Sequence, residues 1–192
     1  MNSKFSFCTT DISGLFEITP FNVEDSRGKF TKDYSRLVFA NNCISYDISE
    51  IFYTTSHKGV IRALHFQRNK QQPKLVRCLK GKIFDVVVDL RPSSITFKKW
   101  ISFDLSEINQ KEILIPGGCA HGYLVLEDSI VSYKCSESFC AEFDDGIKYD
   151  DPDLSVDWPY ESIGGKDKLI ISEKDYSLQT FREFINKYGG LQ

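Results

Sequence analysis

Two short segments of this chain each combine a histidine with glycine and apolar residues. Residues 59–67 contain His65, and residues 116–122 contain His121. Imidazole suits the role of general base, because its ordinary pKa of about 6.5 lies close to neutral pH. These two segments therefore make proton transfer the first chemistry to consider.

Cations and a phenol occur in the neighbouring sequence. Arg62 and Lys74 flank His65, and such positive charges hold a phosphate or the oxygen of a developing enolate. Tyr133 lies in a later apolar run, from which its phenol would donate a proton to the opposite side of a substrate. A base, a cation and an acid around one pocket suit removal of a proton next to a carbonyl and its return to the other face.

The two histidine segments resemble the two half-motifs of the cupin superfamily. Metal-binding cupins have a second histidine in the first half-motif, and this chain has Gln67 at that position. A glutamine amide is a poor ligand for a transition metal, and the whole chain contains three histidines. We therefore predict that the protein binds no metal and uses no cofactor.

Composition narrows the class of protein and its partners. The 192 residues are 41% hydrophobic and 27% charged, which is typical of a soluble globular protein of one domain. A net charge of −3 provides no general attraction to nucleic acid or to an anionic membrane.

Residues 1–10 lack the apolar segment of a signal peptide, so we expect a cytoplasmic protein. The six cysteines form no C-x-x-C pair, and we expect free buried thiols.

Short apolar runs separated by turn residues dominate the middle of the chain. Helical spacing is confined to residues 34–41 and to the set Leu178, Phe181, Phe184 and Ile185, which ends at Gly189-Gly190. We predict a mainly β, cupin-like jelly-roll barrel or sandwich with short terminal helices, forming a single domain over residues 1–192. The predicted strands are residues 74–79, 82–90, 96–105, 111–116, 123–126 and 130–133, with turns at Lys80-Gly81 and at residues 91–94.

A series of motifs in order along the chain resembles the dTDP-4-dehydrorhamnose 3,5-epimerases. They include D-S-R-G-K-F at residues 25–30, G-V-I-R-A-L-H-F-Q at 59–67, Q-P-K-L-V at 72–76 and F-D-V-V-V-D-L-R at 84–91. Further matching blocks are residues 115–123, 133–134, 151–159 and 171–175. One such motif would be weak, but the ordered series over most of the chain is specific.

The resemblance implies a catalytic role for four residues. His65 would remove the proton next to the C4 keto group, with Asp175 bonded to its imidazole. Lys74 would stabilise the enolate oxygen, and Tyr133 would deliver a proton at C5 from the opposite face. Each residue also has an ordinary structural alternative: His65 as a core histidine, Tyr133 as a barrel aromatic and Asp175 as an acid at a helix start.

The resemblance also implies a nucleotide-sugar substrate and a homodimer in which the two barrels exchange a strand or arm. Arg62 and Arg27 would bind the diphosphate, with Arg27 reaching across the dimer interface. His121, oriented by Asp85, would either contact the substrate or support the site. Phe30 and Gln67 complete the expected set of substrate-binding residues.

Residues 50–52 depart from the family, which usually has Gln-x-Asn there. Glu50 only accepts hydrogen bonds when ionised, and such a group would match the N1–H and the amine of guanine better than thymine. We therefore expect a carrier that is either dTDP or GDP, for example in a GDP-4-keto-6-deoxyheptose, on a route to cell-surface polysaccharide. A surface role for Glu50, epimerisation at C3 without C5, and an inactive cupin-fold binding module are the alternatives.

Overall fold

The computed structural model describes residues 4–191. Residues 1–3 and 192, which belong to the predicted domain, lie outside the described residues. The helices are α1 (Arg36–Asn41), α2 (Glu173–Tyr176) and α3 (Phe181–Tyr188), with 3₁₀ turns at Tyr160–Ile163 and Lys166–Lys168. The strands are β1 (Ser6–Thr9), β2 (Phe16–Thr19), β3 (Phe21–Asp25), β4 (Gly28–Lys32), β5 (Glu50–Ser56), β6 (Ile61–Gln67), β7 (Lys74–Asp89), β8 (Trp100–Ser106), β9 (Glu112–Ile115), β10 (Cys119–Cys135) and β11 (Asp144–Gly146).

Two long antiparallel strands, β7 and β10, connect both layers of the fold. Residues 74–77 of β7 pair with β9, and residues 82–88 pair with β8. In the same way, β10 pairs with β6 near its start and with β5 near its end. The nine-stranded sheet therefore folds over itself into a cupin-like β-sandwich, which confirms the predicted fold class.

Gly81 lies inside β7, where the sequence predicts a turn, so that prediction is wrong. It has a φ of +74°, and a Cβ there would lie 2.3 Å from the carbonyl oxygen of Asp128. The pairing of β7 with β10 changes register beside it, so the glycine accommodates a bulge instead of reversing the chain. The runs predicted at residues 123–126 and 130–133 likewise belong to one strand, β10.

Three groups of buried apolar side chains hold the layers together. The first lies between the layers and includes Val76 and Tyr133. The second packs β6 and β10 against α3 through Phe184, and the third packs β7 and β9 against α1 through Phe39. Helix α1 confirms the helix predicted over residues 34–41, and both helices cover apolar faces that the sheet would otherwise expose.

Helix α3 begins later than the periodic apolar residues suggest. Leu178 belongs to that pattern, but the helix starts at Phe181 after its N-cap, Thr180. The Thr180 hydroxyl accepts the N–H of Glu183, and the Glu183 carboxylate accepts the N–H of Thr180. This capping box fixes the start, and Gly189 in a left-handed conformation ends the helix as predicted.

All six cysteines are free thiols, and their burial differs from the expectation in part. Cys78, Cys119 and Cys135 are buried, but Cys8 and Cys43 are exposed, so the prediction of buried thiols is wrong for those two. In residues 4–191, every helix is too short or too polar to cross a membrane.

Candidate active site

A pocket of about 230 Å³ lies on the inner surface of β5, β6, β7 and β10. It brings together six residues that the sequence assigns to the site, namely Arg62, His65, Gln67, Lys74, His121 and Tyr133. This volume is below the roughly 300–1,000 Å³ of pockets that enclose a whole drug-sized ligand, so it suits part of a larger substrate.

A bulge in β6 points both Arg62 and His65 into this pocket. Residues three apart face opposite sides of a regular strand, because side chains alternate. Between the pairs His121↔His65 and Tyr123↔Arg62, however, β6 advances by one residue more than β10. The extra residue brings both side chains to the pocket face.

The glycine after His121 makes room for this bulge. A Cβ on Gly122 would lie 2.4 Å from the Cβ of Ala63 and 2.7 Å from the carbonyl oxygen of Arg62. Real Cβ atoms do not approach so closely, so β6 and β10 could not pair in this way around a larger residue. Gly122 thus supports the placement of His65 without touching the pocket.

His65 is bonded to Asp175 across the fold. The Nε2 atom of His65 lies 3.0 Å from Oδ1 of Asp175, which is carried by α2. A carboxylate only accepts hydrogen bonds, so Nε2 carries the proton and Nδ1 is the basic nitrogen. Burial favours the neutral acid, but donation from His65, from Ser172 and from the Ala63 N–H outweighs it and lowers the pKa of Asp175.

A second histidine–carboxylate pair lies deeper in the same pocket. The Nε2 atom of His121 lies 2.8 Å and 3.0 Å from the two carboxylate oxygens of Asp85. The side chain of Asp85 is completely buried, and this burial raises its pKa while the contact with His121 opposes the shift. The predicted pairing of Asp85 with His121 is therefore present, with His121 held against β7.

Tyr133 presents a buried phenol to the pocket. Burial raises its pKa well above the ordinary value, and the neighbouring phenol of Tyr123 adds to the shift. The ring stacks on Phe52, with centroids 4.7 Å apart and an angle of 13° between the planes. A neutral phenol held in one orientation is suited to donating a proton.

Lys74 provides a positive charge within the pocket, in addition to those of Arg62 and Lys174. Burial lowers its pKa, and Cys135, Asp144 and Asp85 oppose that shift. An ammonium group that is poorly solvated interacts strongly with an anion that forms beside it. This position suits stabilisation of an enolate oxygen.

Three predicted substrate-binding residues have other surroundings in this chain. Arg27 and Phe30 lie in the β3–β4 hairpin, a separate two-stranded sheet, where Arg27 pairs with Asp25 at 2.6 Å. The carboxylate of Glu50 accepts hydrogen bonds from the Gln72 side chain and from the N–H of Phe139. All three lie outside the lining of the pocket.

Gln67 lines the pocket, but its amide is engaged by the backbone. Its Nε2 donates to the carbonyl oxygen of Lys70 at 2.6 Å, and its Oε1 accepts the N–H of Cys140 at 2.6 Å. These bonds connect two loops at the rim, so the side chain has a clear structural role.

In residues 4–191, no group of three or more His, Cys, Asp or Glu side chains is arranged to hold a metal ion.

The pocket also contains residues that the sequence did not single out. Two of them, Phe52 and Thr54, are alternate residues of β5 that face the pocket. The sequence did not predict a strand at residues 50–56, so this alternation was not recognised. An ion pair between Lys174 and Asp144 lies at the rim. The additional lining residues are Phe52, Thr54, Phe66, Gln72, Tyr123, Phe139, Asp144 and Lys174.

The second half of the motif at residues 84–91 builds structure instead of the site. Asp89 has a fully buried side chain that accepts hydrogen bonds from Arg91, Ser94 and Thr96. Burial opposes ionisation, but these bonds lower the pKa of Asp89 to about 2. The cluster closes the turn after β7, which explains why these residue types occur at this spacing.

Comparison with known proteins identifies the family to which the chain belongs. The family model described as dTDP-4-dehydrorhamnose 3,5-epimerase matches residues 9–183. The chain belongs to this family. It is therefore an epimerase, within the isomerase class of enzymes. The resemblance inferred from the sequence motifs is confirmed.

Individual relatives cover nearly the whole chain. The dTDP-4-dehydrorhamnose 3,5-epimerase of Methanothermobacter thermautotrophicus is 44% identical over 182 residues, which are 94% of this chain and 97% of that protein. The structure of dTDP-6-deoxy-D-glucose-3,5-epimerase from Legionella pneumophila, in complex with dTDP-4-keto-L-rhamnose, superposes with a TM-score of 0.89 at 33% identity. That comparison covers 96% of this chain and 97% of the other.

A further structural relative differs in its described activity. A 3'-monoepimerase from Streptomyces bikiniensis, in complex with dTDP-quinovose, superposes with a TM-score of 0.81 at 25% identity. The match covers 93% of this chain and 88% of that one.

Proposed function

We propose that this chain epimerises a dTDP-linked 4-keto-6-deoxy sugar at both C3 and C5. The observation that carries the proposal is the joint placement of the His65–Asp175 pair, Lys74 and Tyr133 around one pocket. Carbons next to a keto group lose a proton when a base is aligned and the resulting enolate is stabilised. These residues provide both conditions.

The geometry of these residues supports the following steps. Nδ1 of His65 takes the proton from the carbon next to the keto group, and Asp175 stabilises the imidazolium that forms. The electron pair moves to the keto oxygen, whose negative charge Lys74 neutralises. Tyr133 then returns a proton to the opposite face of the same carbon, which inverts it. Positioned acid–base groups of this kind contribute about 10²–10⁴-fold in rate.

The reaction that we propose uses no metal and no cofactor. The position where metal-binding cupins have a second histidine is occupied by Gln67, whose amide bonds to two backbone groups. The acid, base and cation of the chain account for each proton and charge in the steps above. The same proposal places the enzyme in the cytoplasm as a single domain, without nucleic-acid or membrane partners, on a route to cell-surface polysaccharide.

We further propose a homodimer in which the β3–β4 hairpin contributes to the site of the partner chain. The hairpin forms a sheet of its own, and the side chain of Arg27 is 87% exposed while Phe30 is 57% exposed. An exposed guanidinium and an exposed ring are suited to contact the nucleotide, whose diphosphate would extend from the pocket past Arg62. His121 would support the site from behind.

Glu50 bears on the identity of the nucleotide that carries the sugar, dTDP or GDP. Its role as a reader of guanine is weakened, because its Oε1 accepts from Gln72 at 2.9 Å and from the Phe139 N–H at 3.1 Å. The similar proteins reported above have names or ligands that contain dTDP. We therefore propose dTDP as the carrier and retain GDP as the comparison in the test.

The experiment incubates the protein with dTDP- and GDP-linked 4-keto-6-deoxy sugars in D₂O and locates deuterium by mass spectrometry and proton NMR. Label at C3 and C5 of the dTDP sugar supports the double epimerase. Label at C3 without C5 would make the chain a monoepimerase, as the Streptomyces bikiniensis relative is described. Exchange with the GDP sugar alone would overturn the carrier, and no exchange with either would favour an inactive binding module.

A further inference from the structure

Helix α2, which carries Asp175, is too short to hold its own position. It has four residues, and a single helical turn is unstable in water without tertiary contacts. The bond of 3.0 Å between His65 and Asp175 therefore depends on the contacts that fasten α2 to the rest of the fold. A small displacement of the carboxylate would weaken this bond, because hydrogen bonds depend steeply on distance and angle.

Strand β11 connects the element that carries His65 with the segment that carries Asp175. It pairs with the end of β6, where Gly146 lies opposite His65. The side chain of Asp145 is directed to the chain that follows α2, where its Oδ1 accepts a hydrogen bond from Nε2 of Gln179 at 2.7 Å. One short strand thus contacts both halves of the histidine–carboxylate pair.

Other contacts fix the carboxylate of Asp145 as an acceptor for Gln179. Its Oδ1 also accepts the N–H of Gly146 at 2.8 Å, and its Oδ2 lies 3.1 Å from Nε of Arg68. The guanidinium of Arg68 in turn lies over the ring of Tyr188, 4.8 Å from its centroid. The side chain of Asp145 is 18% exposed, so water has little access to compete for its oxygens.

Gly146 allows the two segments to approach each other closely. A Cβ at this position would lie 2.7 Å from the carbonyl oxygen of Leu64 and 2.9 Å from Cδ1 of Leu178. Leu178 and Gln179 are consecutive residues, so the chain after α2 packs directly on the residue that pairs with His65. The spacing between α2 and β6 is therefore set at β11.

We propose that Gln179 is a positioning residue for the His65–Asp175 pair, which it aligns through its hydrogen bond to Asp145. Its side chain lies outside the lining of the pocket and acts on the reaction through α2. The ion pair between Asp144 and Lys174 also joins β11 to α2, but the side chain of Lys174 is 60% exposed. Exposed ion pairs contribute little, so the bond of Gln179 is the stronger constraint. This inference rests on the proposed epimerase activity.

Gln179→Met removes the amide but keeps the length of the side chain. Deuterium exchange at C3 and C5 should decrease about tenfold, as expected for one lost hydrogen bond. The decrease is limited, because the main-chain carbonyl of Gln179 still accepts the N–H of Lys148 at 3.0 Å. Affinity for dTDP should be unchanged, which also shows that the variant is folded. Asn186→Met, which removes an exposed amide in α3, is the control and should exchange at the wild-type rate.

A double-mutant cycle separates positioning from a general effect on the fold. Asp175→Asn already lacks the carboxylate that Gln179 aligns, so the addition of Gln179→Met should cause no further loss of exchange. A further tenfold loss in that background would overturn the proposal, because Gln179 would then affect the reaction by another route. Wild-type exchange in the single variant Gln179→Met would overturn it as well.

Substitutions at Asp145 test the acceptor of the same bond. Asp145→Asn keeps the Oδ1 that accepts from Gln179 and Gly146, so it should retain most of the exchange. Asp145→Leu has no acceptor and should lose as much exchange as Gln179→Met. Equal losses in the two Asp145 variants would show that the charge beside Arg68 matters instead of the hydrogen bond, which would contradict the proposal.

The tautomer of His65 provides a measurement that needs no substrate. Nitrogen-15 NMR at alkaline pH, where imidazole is neutral, shows which ring nitrogen carries the proton, and His65→Asn assigns the signals. Wild-type protein and Asp145→Asn should have the proton on Nε2, whereas Gln179→Met should show a mixture of both tautomers. Only the Nε2–H form in Gln179→Met would refute the positioning role. This result decides the role even if wild-type protein exchanges no deuterium, an outcome that would refute the proposed function.

Discussion

His65 and Asp175 lie 110 residues apart in the chain, yet Nε2 of the one is 3.0 Å from Oδ1 of the other. Strand β6 carries the histidine and the four-residue helix α2 carries the aspartate, which is also the third residue of that helix. The Ser172 hydroxyl accepts the N–H of Asp175 and fixes the start of α2. The sequence offered two alternatives for Asp175, an acid at the start of a helix or a hydrogen-bond partner of His65. In the structure Asp175 occupies both positions.

Asp175→Asn should lower deuterium exchange at both C3 and C5 by about 10²–10⁴-fold, because the imidazole loses the carboxylate that fixes its tautomer and stabilises its cation. Nucleotide affinity should be unchanged, since Asp175 faces His65 and lies outside the lining of the pocket. Asp167→Asn is the matched control, with a side chain that is 72% exposed. Exchange in Asp175→Asn at the rate of the control would remove the dyad from the mechanism.

Tyr133→Phe should abolish inversion at C5 while the protein still removes the C5 proton. The ring remains stacked on Phe52, so the change removes the donor and preserves the packing. Proton NMR should then show deuterium at C5 with retained configuration, because solvent can return label from the side of His65. Tyr176→Phe, at a 71% exposed position, serves as the control. Normal inversion at C5 in Tyr133→Phe would refute the role of this phenol.

Lys74 should set an alkaline limit to activity. Burial lowers its pKa from 10.5, so the folded enzyme loses this positive charge at a lower pH than free lysine does. Because the protonated form stabilises the enolate, kcat should decrease as pH rises through that lowered pKa. Lys74→Met should remove this limb of the pH profile and lower the maximum, whereas Lys168→Met, at a 62% exposed side chain, should leave both unchanged. If kcat of Lys74→Met still decreased at alkaline pH, the decrease would be due to the titration of another group.

Asp89→Asn should destabilise the fold by about 2 kcal/mol at pH 7, because a buried carboxylate with several hydrogen bonds loses its charge. The pKa of Asp89 is lowered to about 2 in the folded protein and is about 3.9 when unfolded. The contribution of ionised Asp89 to the free energy of unfolding is therefore complete above about pH 4 and is lost as pH falls towards 2. Urea unfolding of both proteins over this range measures the difference.

Asp104→Asn is the control for that measurement, since Asp104 is 60% exposed and its partner Lys82 lies 3.6 Å away. An exposed pair of this kind contributes little to stability. A difference for Asp89→Asn that does not shrink between pH 4 and pH 2 would show that the ionised carboxylate is not its source.

The sequence was informative where a residue type is tied to a chemical role. The pairing of His65 with Asp175, the presence of Lys74 and Tyr133 in the same pocket and the Asp85–His121 pair were all predictable from motifs. The β-branched runs also predicted most of β7 to β10, because such residues favour strands whether or not their partners are known.

The sequence was uninformative where the outcome depends on how strands pair. The bulge in β6 that turns Arg62 and His65 to the same side arises from its register with β10. Gly81 looked like a turn because its left-handed φ is common in turns, and only the pairing partner shows that it is a bulge. Thr54 and Tyr123 are connected by a contact across 69 residues, which no local pattern predicts.

Deuterium incorporation from D₂O by wild-type protein and His65→Asn, both saturated with dTDP-linked 4-keto-6-deoxy sugar, tests the central claim most directly. Wild-type protein should place deuterium at C3 and C5, and His65→Asn should place it at neither while binding dTDP with the same affinity. Label in the variant at the wild-type rate would show that another group removes the protons. Absence of label with the wild-type protein would contradict the epimerase mechanism itself.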